Sequence, residues 1–256
     1  MVEIVESSLS LGEGDAARTL TVAQRLGGSP GIFWLGGFRS DMAGSKAMAL
    51  DAFGADNGLA VTRFDYSGHG VSGGDFDLGT ISRWLEETIA VFALTKGPQI
   101  VVGSSMGGWL ALLLARHLLT LGTPLQGLVL IAPAVDMTSE LMLPGFTPEE
   151  RRSLKDHGYV DQPSQYSDTP YRITNALIED GDNHRLLGGV IETGCPITIL
   201  QGGKDPDVPQ AHAIKLSTHL LHDPVTMTLV PDGDHRLSRP EDLVRLTEAV
   251  RRLIVA

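Results

Sequence analysis

The chain has 256 residues, enough for one large α/β domain or two small ones and for a substantial core. Apolar residues make up 42%, charged residues 20%, and the net charge is −11 at pH 7. That balance reads as globular and excludes a nucleic-acid backbone or an anionic membrane surface as the natural partner.

No apolar run approaches the length of a bilayer span, so no membrane span is expected. The opening stretch, MVEIVESSLSLGEGD, is acidic and alternating. It lacks a basic region, an apolar core and an Arg-rich amphipathic pattern, and on that ground the protein is expected in the cytoplasm. Cys195 is the only cysteine, which rules out an intrachain disulfide and fits a reducing compartment. Just before Pro196, it reads as a small buried hydrophobe.

In chain order, EIVESSLSL and RTLTVAQRL alternate with period two on either side of GEGD, which predicts an antiparallel hairpin. GIFWL (31–35) is a short apolar strand. A helix is expected from about Ser40, with Met42, Ala47, Met48, Ala52 and Phe53 as its apolar members. LAVTRF (59–64) is the next strand. Ile81, Trp84, Leu85, Thr88, Ile89 and Phe92 then recur at helical spacing, and KGP (96–98) stops that helix. QIVVG (99–103) is a strand, 106–121 a helix and GLVLIA (127–132) a strand. PITIL (196–200), a helix over 209–221 and VTMTLV (225–230) follow, and Leu243, Leu246, Val250, Leu253 and Ile254 mark a last amphipathic helix from Pro240.

The inner strands are continuously apolar, which means burial on both faces. Strands and helices that alternate in this way predict one α/β domain with a mostly parallel central sheet flanked by helices. Residues 133–194 interrupt the rhythm. TPEERRSLKDHG and DTPYRITNALIEDGDNH look helical within them, with Thr147 and Glu150 spaced as a capping box. An insertion of that length at the carboxyl end of a strand is expected to form a short helical cap or lid.

VVGSSMGGWLALLLA (101–115) places Gly103, Ser105 and Gly107 between a strand and a helix. A serine nucleophile needs such a sharp turn, because it lifts the hydroxyl above the sheet, and the helix behind aims its amides at the same spot. Register selects Ser105, since Ser104 has no glycine two residues earlier; Ser104 is left to support the turn. Serine needs a base. His117, His212 and His219 lie in helical stretches, His222 at the amino end of a strand, and His157 and His184 in the insertion. His69, in DYSGHGVSGG, is a candidate at the right edge. His235, in VPDGDHRLS directly after the last strand, is the better one. The orienting carboxylate is Asp205 or Asp207 of ILQGGKDPDVP, with Asp205 preferred; Asp234 reads as a turn residue. For the oxyanion, the backbone N–H of Met106 and that of Phe38, in the GGFRSD loop, are the expected donors.

LGGFRSD, RFDYSGHGVSGG, GSSMGGW, GGKDPDVP and GDHRLS occur in an order that resembles the α/β-hydrolase superfamily across nearly the whole chain. The D-x-x-V-P spacing in that likeness implies Asp205 as the acid and His235 as the base. GSSMGGW, FDYSG, KGPQIVVGSS and GDHR are most like the subfamily of mitochondrial acyl-glucuronide esterases and palmitoyl-protein thioesterases. The resemblance implies an α/β-hydrolase fold and hydrolysis of carboxylic esters or thioesters through an acyl-enzyme on Ser105, with no metal or organic cofactor. Two positions depart from the family's pattern: Gly36 and Gln201 stand where histidines are often found. Gly37, Arg39 and Trp109 are candidate substrate contacts, Arg39 for an anionic group. The expected partner is a small acyl ester or thioester. Hydrolysis of peptide or carbon–carbon bonds would use the same triad, and a non-catalytic binding protein could keep the same fold.

Overall fold

A computed structural model describes residues 4–162 and 170–254. Eight strands form one sheet: β1 (Ile4–Leu11), β2 (Arg18–Arg25), β3 (Gly28–Leu35), β4 (Leu59–Phe64), β5 (Gln99–Ser104), β6 (Gly127–Ile131), β9 (Ile197–Gly202) and β10 (Val225–Val230), in the order β1-β2-β4-β3-β5-β6-β9-β10. The hairpin β1–β2 is antiparallel, as the alternation predicts, and β2 also runs antiparallel to β4. Every other neighbouring pair is parallel.

The apolar strands divide their side chains between two cores. Phe33, Leu35, Val101, Leu128 and Leu130 pack on one side of the sheet with α2 (Ile81–Phe92) and α3 (Met106–Thr120). Ile32, Trp34, Ile100, Val102, Val129 and Ile131 pack on the other. There they meet α1 (Ser45–Asn57) and α8 (Pro240–Ile254). Both faces of the inner strands are buried, which is why those strands lack a polar alternate.

Helix α1 starts at Ser45, later than the expected Ser40. Met42 is buried in the preceding loop, its N–H donating to the Asp65 carboxylate at 2.6 Å and its carbonyl accepting from Arg63 at 3.0 Å. Both backbone groups of Met42 are thereby spent on side chains, so the helix cannot extend back through it. Helix α7 (Gln210–Ser217) is likewise shorter than expected.

Between β6 and β9 the chain forms a π-helical turn (Thr138–Met142), a single turn α4 (Leu143–Gly145), α5 (Pro148–His157), a ribbon of β7 (Tyr159–Gln162) and β8 (Tyr171–Thr174), and α6 (Asn175–Gly181). The capping box at Thr147 and Glu150 is present. The expected second helix is corrected: part of it, from Asp168, lies outside the described residues, and Tyr171–Thr174 is a strand antiparallel to β7. TPYRIT favours that outcome, because proline disfavours helix before it and the aromatic and β-branched residues suit a ribbon. The insertion is tied down at its stem. The carboxylate of Asp136, fully buried just after β6, accepts the N–H groups of Leu186 and Leu187 at 2.8 Å.

One buried ion pair supports the fold beside the glycine-rich loop. Glu87 of α2 is fully buried and takes hydrogen bonds from Arg18 Nε at 2.5 Å and from the N–H and hydroxyl of Ser67 at 2.9 and 2.6 Å. Arg18→Ala would remove the closest cation from that carboxylate and leave it only Ser67 and, at 3.7 Å, Arg83. We expect it to cost about 3–5 kcal/mol in urea unfolding, whereas removing the exposed pair partner Arg152 costs less than about 1 kcal/mol.

Candidate active site

The turn between β5 and α3 holds Ser105 at φ 56°, ψ −119°, a conformation that non-glycine residues avoid and that costs about 1–3 kcal/mol. The flanking glycines are sterically required. A Cβ on Gly103 would sit 2.2 Å from the carbonyl oxygen of Gly107, and one on Gly107 would sit 2.2 Å from that of Leu35. Strand β3, the turn and the first turn of α3 therefore pack backbone against backbone. The Ser105 N–H donates to the Ile131 carbonyl at 2.9 Å, and its own carbonyl accepts from Gly108 and Ala134 at 2.8 and 3.1 Å. Its side chain makes no capping bond to the helix, so the hydroxyl is not committed to structure.

Met106 follows this serine directly, and Phe38 follows Gly37, the loop residue that lies beside it. Met106 opens α3, where the first amides of a helix have no carbonyl within it to bond. The loop after β3 lies against the serine: a Cβ on Gly37 would stand 3.3 Å from Ser105 Cβ. The Phe38 ring packs edge-on against Phe76 and Trp84, at centroid distances of 5.0 and 6.0 Å. With Met42 clamped by Asp65 and Arg63, this loop is fixed at both ends.

The loops after β9 and β10 bring Asp205 and His235 together. His235 Nδ1 lies 2.8 Å from Asp205 Oδ2, and an ionised carboxylate only accepts, so Nδ1 carries the proton and Nε2 presents its lone pair. Asp205 Oδ1 accepts the N–H groups of Asp207 and Val208 at 2.9 and 2.8 Å. The carboxylate thus has donors on both oxygens. A Cβ on Gly202 would stand 2.4 Å from the Asp234 carbonyl oxygen, so the two loops touch through their backbones. Asp234 is the turn residue expected of it, accepting from the Leu237 N–H at 3.0 Å.

The imidazole's loop runs back across the end of the sheet. The residue after His235 is bound by Lys46 of α1, the helix that follows β3. Strand β5, with Ser105 at its end, lies between β3 and β9 in the sheet order. His235 is thereby held on the stretch that reaches from β10 toward α1, at the carboxyl end of the sheet, the end at which Ser105 also lies. Among the described residues, Ser105 Oγ and His235 Nε2 do not hydrogen-bond to each other; in substrate-free triads this contact is commonly long and tightens in the complex.

His69, the other candidate base, is enclosed by Tyr66, Phe76 and Trp84, with ring centroids 5.1–5.5 Å away. Burial pushes its pKa down to about 4. Its Nδ1 faces the Ser67 carbonyl at 3.1 Å rather than a carboxylate, so it is oriented as a neutral member of an aromatic cluster. Trp109 also departs from expectation. It is fully buried and its indole N–H donates to the His184 carbonyl at 3.1 Å, which joins α3 to the insertion and leaves no face for a substrate. Arg39 lies with its guanidinium carbon 4.2 Å from the centre of the Phe76 ring, directly after Phe38 and itself at φ 56°. Gln201 was marked in the sequence only as a departure. It is fully buried and its amide nitrogen donates to the Val208 carbonyl at 2.9 Å and approaches Asp205 Oδ2 at 3.4 Å, bracing the acid's loop. Asp205, Asp207 and His235 offer ligand atoms within 4.8 Å of one another. With both Asp205 oxygens already accepting protein hydrogen bonds, that set favours an oriented imidazole over a metal.

A model of the alpha/beta hydrolase family matches residues 27–246. The chain belongs to that family. Palmitoyl-protein thioesterase ABHD10, mitochondrial, from Bos taurus is 34% identical over 232 residues, covering 89% of this chain and 74% of its own, and the Homo sapiens protein matches to the same extent. Among solved structures, a putative hydrolase from Agrobacterium vitis S4 superposes with a TM-score of 0.95 at 49% identity, covering 98% of this alpha/beta hydrolase and 99% of its own chain. The mouse ABHD10 structure gives a TM-score of 0.84 at 30% identity, covering 97% and 98%. The protein is thus a hydrolase, and thioesterase relatives accord with ester or thioester hydrolysis. The cytoplasmic expectation is corrected: the curated ABHD10 relatives are all named as mitochondrial. That expectation came from charge and apolar pattern near the N-terminus of a folded domain, and folding constraints on those residues carry no address.

Proposed function

We propose that this alpha/beta hydrolase cleaves carboxylic esters and acyl thioesters through an acyl-enzyme on Ser105. The observation that supports the reading is the strained serine between β5 and α3, with the His235–Asp205 pair at the same, carboxyl end of the sheet. Ser105 Oγ attacks the acyl carbonyl while His235 Nε2 takes its proton. Asp205 fixes the tautomer and stabilises the imidazolium that forms. The N–H groups of Phe38 and Met106 receive the developing oxyanion. His235 then gives its proton to the leaving alcohol or thiol, and in the second half takes one from the water that releases the acid.

Residues 133–194 act as the cap over this site. Leu141, Met142 and Leu143, half-buried against the core, supply the apolar surface an acyl chain requires. Arg39, next to an oxyanion donor, is a contact for an anionic part of the substrate. We expect a fluorophosphonate probe to label Ser105, and p-nitrophenyl esters and acyl-CoA thioesters to be turned over. An acyl glucuronide belongs in the same panel. Turnover of peptides with no turnover of any ester or thioester would overturn the proposal.

A further inference from the structure

The loop that carries His235 is held from two sides, and only one of them is the carboxylate. Lys46, in the first turn of α1, donates its ammonium to the carbonyl of Arg236, the residue next to the imidazole, and lies 3.5 Å from Ser238 Oγ. These bonds join positions more than 180 residues apart in the chain. Between the two acceptors, Leu237 is at φ 43° with its side chain buried in the α1–α8 core, and its N–H is spent on Asp234. The turn 234–238 is thus strained and has little slack. The same helix begins just beyond the loop of Phe38, whose far end is clamped at Met42.

We propose that Lys46 is a positioning residue: through the Arg236 carbonyl it sets the reach of His235 Nε2 toward Ser105 and couples the imidazole loop to the oxyanion loop. The proposal rests on the triad reading above. Asp205 fixes which way the ring faces, but one hydrogen bond to Nδ1 leaves the ring free to swing about it. A second anchor, at the adjacent carbonyl, removes that freedom. Lys46 is half-buried where it makes this bond. Burial, with the nearby charge of Arg236, lowers its pKa to about 8, while Asp234 and Asp242 act to hold the proton. At neutral pH the amine remains mostly charged, and the bond to the carbonyl is charge-assisted.

The test compares Lys46→Met and Lys46→Arg with the unmodified protein on p-nitrophenyl butyrate. Displacements of the order of 1 Å in a catalytic group cost up to about 100-fold in rate. Lys46→Met is therefore expected to lower kcat by about 10- to 100-fold with KM changed less than about twofold, and Lys46→Arg, which keeps the donors, to restore most of it. The downfield proton of His235 Nδ1–H, followed by NMR, is expected to broaden in Lys46→Met and to stay sharp in Lys46→Arg. Should Lys46→Met fail to fold, Lys46→Gln, polar but too short to reach, takes its place in the same measurements. An unchanged kcat in the Met or Gln variant, or equal loss in Met and Arg, overturns the proposal. Ser105→Ala in parallel separates the two claims. If it is inert while Lys46→Met is fully active, the triad stands and the anchoring role falls; if Ser105→Ala is active, the triad reading itself fails.

Discussion

Ser105→Ala is expected to lower kcat for ester and thioester turnover by about 10^6-fold while leaving the fold and its stability unchanged to within about 0.5 kcal/mol. The two halves of that result have separate causes. In the proposed mechanism the hydroxyl is the nucleophile, and without it the remaining donors can only assist direct attack by water. The same hydroxyl makes no capping bond to α3, so its removal breaks nothing in the fold. The Cβ, the unusual backbone angles and the close approach of Gly107 to β3 are all retained. The decisive comparison is kcat on an aryl ester beside the midpoint of urea unfolding. A variant with near-full activity would sink the mechanism, and one that unfolds early would show that Oγ supports the turn.

Asp205→Asn is expected to cost about 10^4-fold in kcat. All the polar neighbours of this side chain are donors: the amides of Asp207 and Val208 on one oxygen, His235 Nδ1–H and the Gln201 amide nitrogen on the other. An asparagine must turn its NH2 toward one of these sets. Toward the backbone amides it loses the turn. Toward His235 it forces the proton onto Nε2, the atom that must receive one from Ser105. The structure argues for the second arrangement, because two backbone donors outweigh one ring nitrogen that can change tautomer. Asp207→Asn serves as the comparison, since the 2.8 Å contact with His235 Nδ1 is made by Asp205. Loss of activity in Asp207→Asn with activity retained in Asp205→Asn would reassign the acid.

Much of this arrangement is legible in residue types. Burial on both faces of a parallel sheet leaves unbroken apolar runs such as QIVV and LVLI. A strand-to-helix turn that brings three backbones together leaves glycines at fixed spacing. Asp205 stands out through the D-x-x-V-P spacing that the family resemblance supplies, and in the structure its side chain also closes its own loop onto residues 207 and 208. What escaped the sequence depends on partners far away in the chain. Trp109 reads as a residue near the nucleophile, but its indole N–H finds a carbonyl in the insertion, at residue 184. The clamp on Met42 by Asp65 and Arg63, and the reach of Lys46 to residue 236, join elements that meet only once the sheet is assembled. His69 shows the converse. Its motif puts it at the active edge, and burial among aromatic rings then removes the basicity that would have made it useful. The β7–β8 ribbon was misread because TPYRITNALIED passes from strand to helix within a few residues, where periodicity has no room to declare itself.

The stem at Asp136 has an evolutionary corollary. One carboxylate pins the departure of the chain from the sheet to its return at Leu186 and Leu187, and Trp109 holds the carbonyl of His184 beside it, so the insertion is fastened at its base by groups of the sheet domain. On the proposed function, drift in the stretch beyond these anchors would retune which acyl groups gain entry without moving the residues proposed to break the bond.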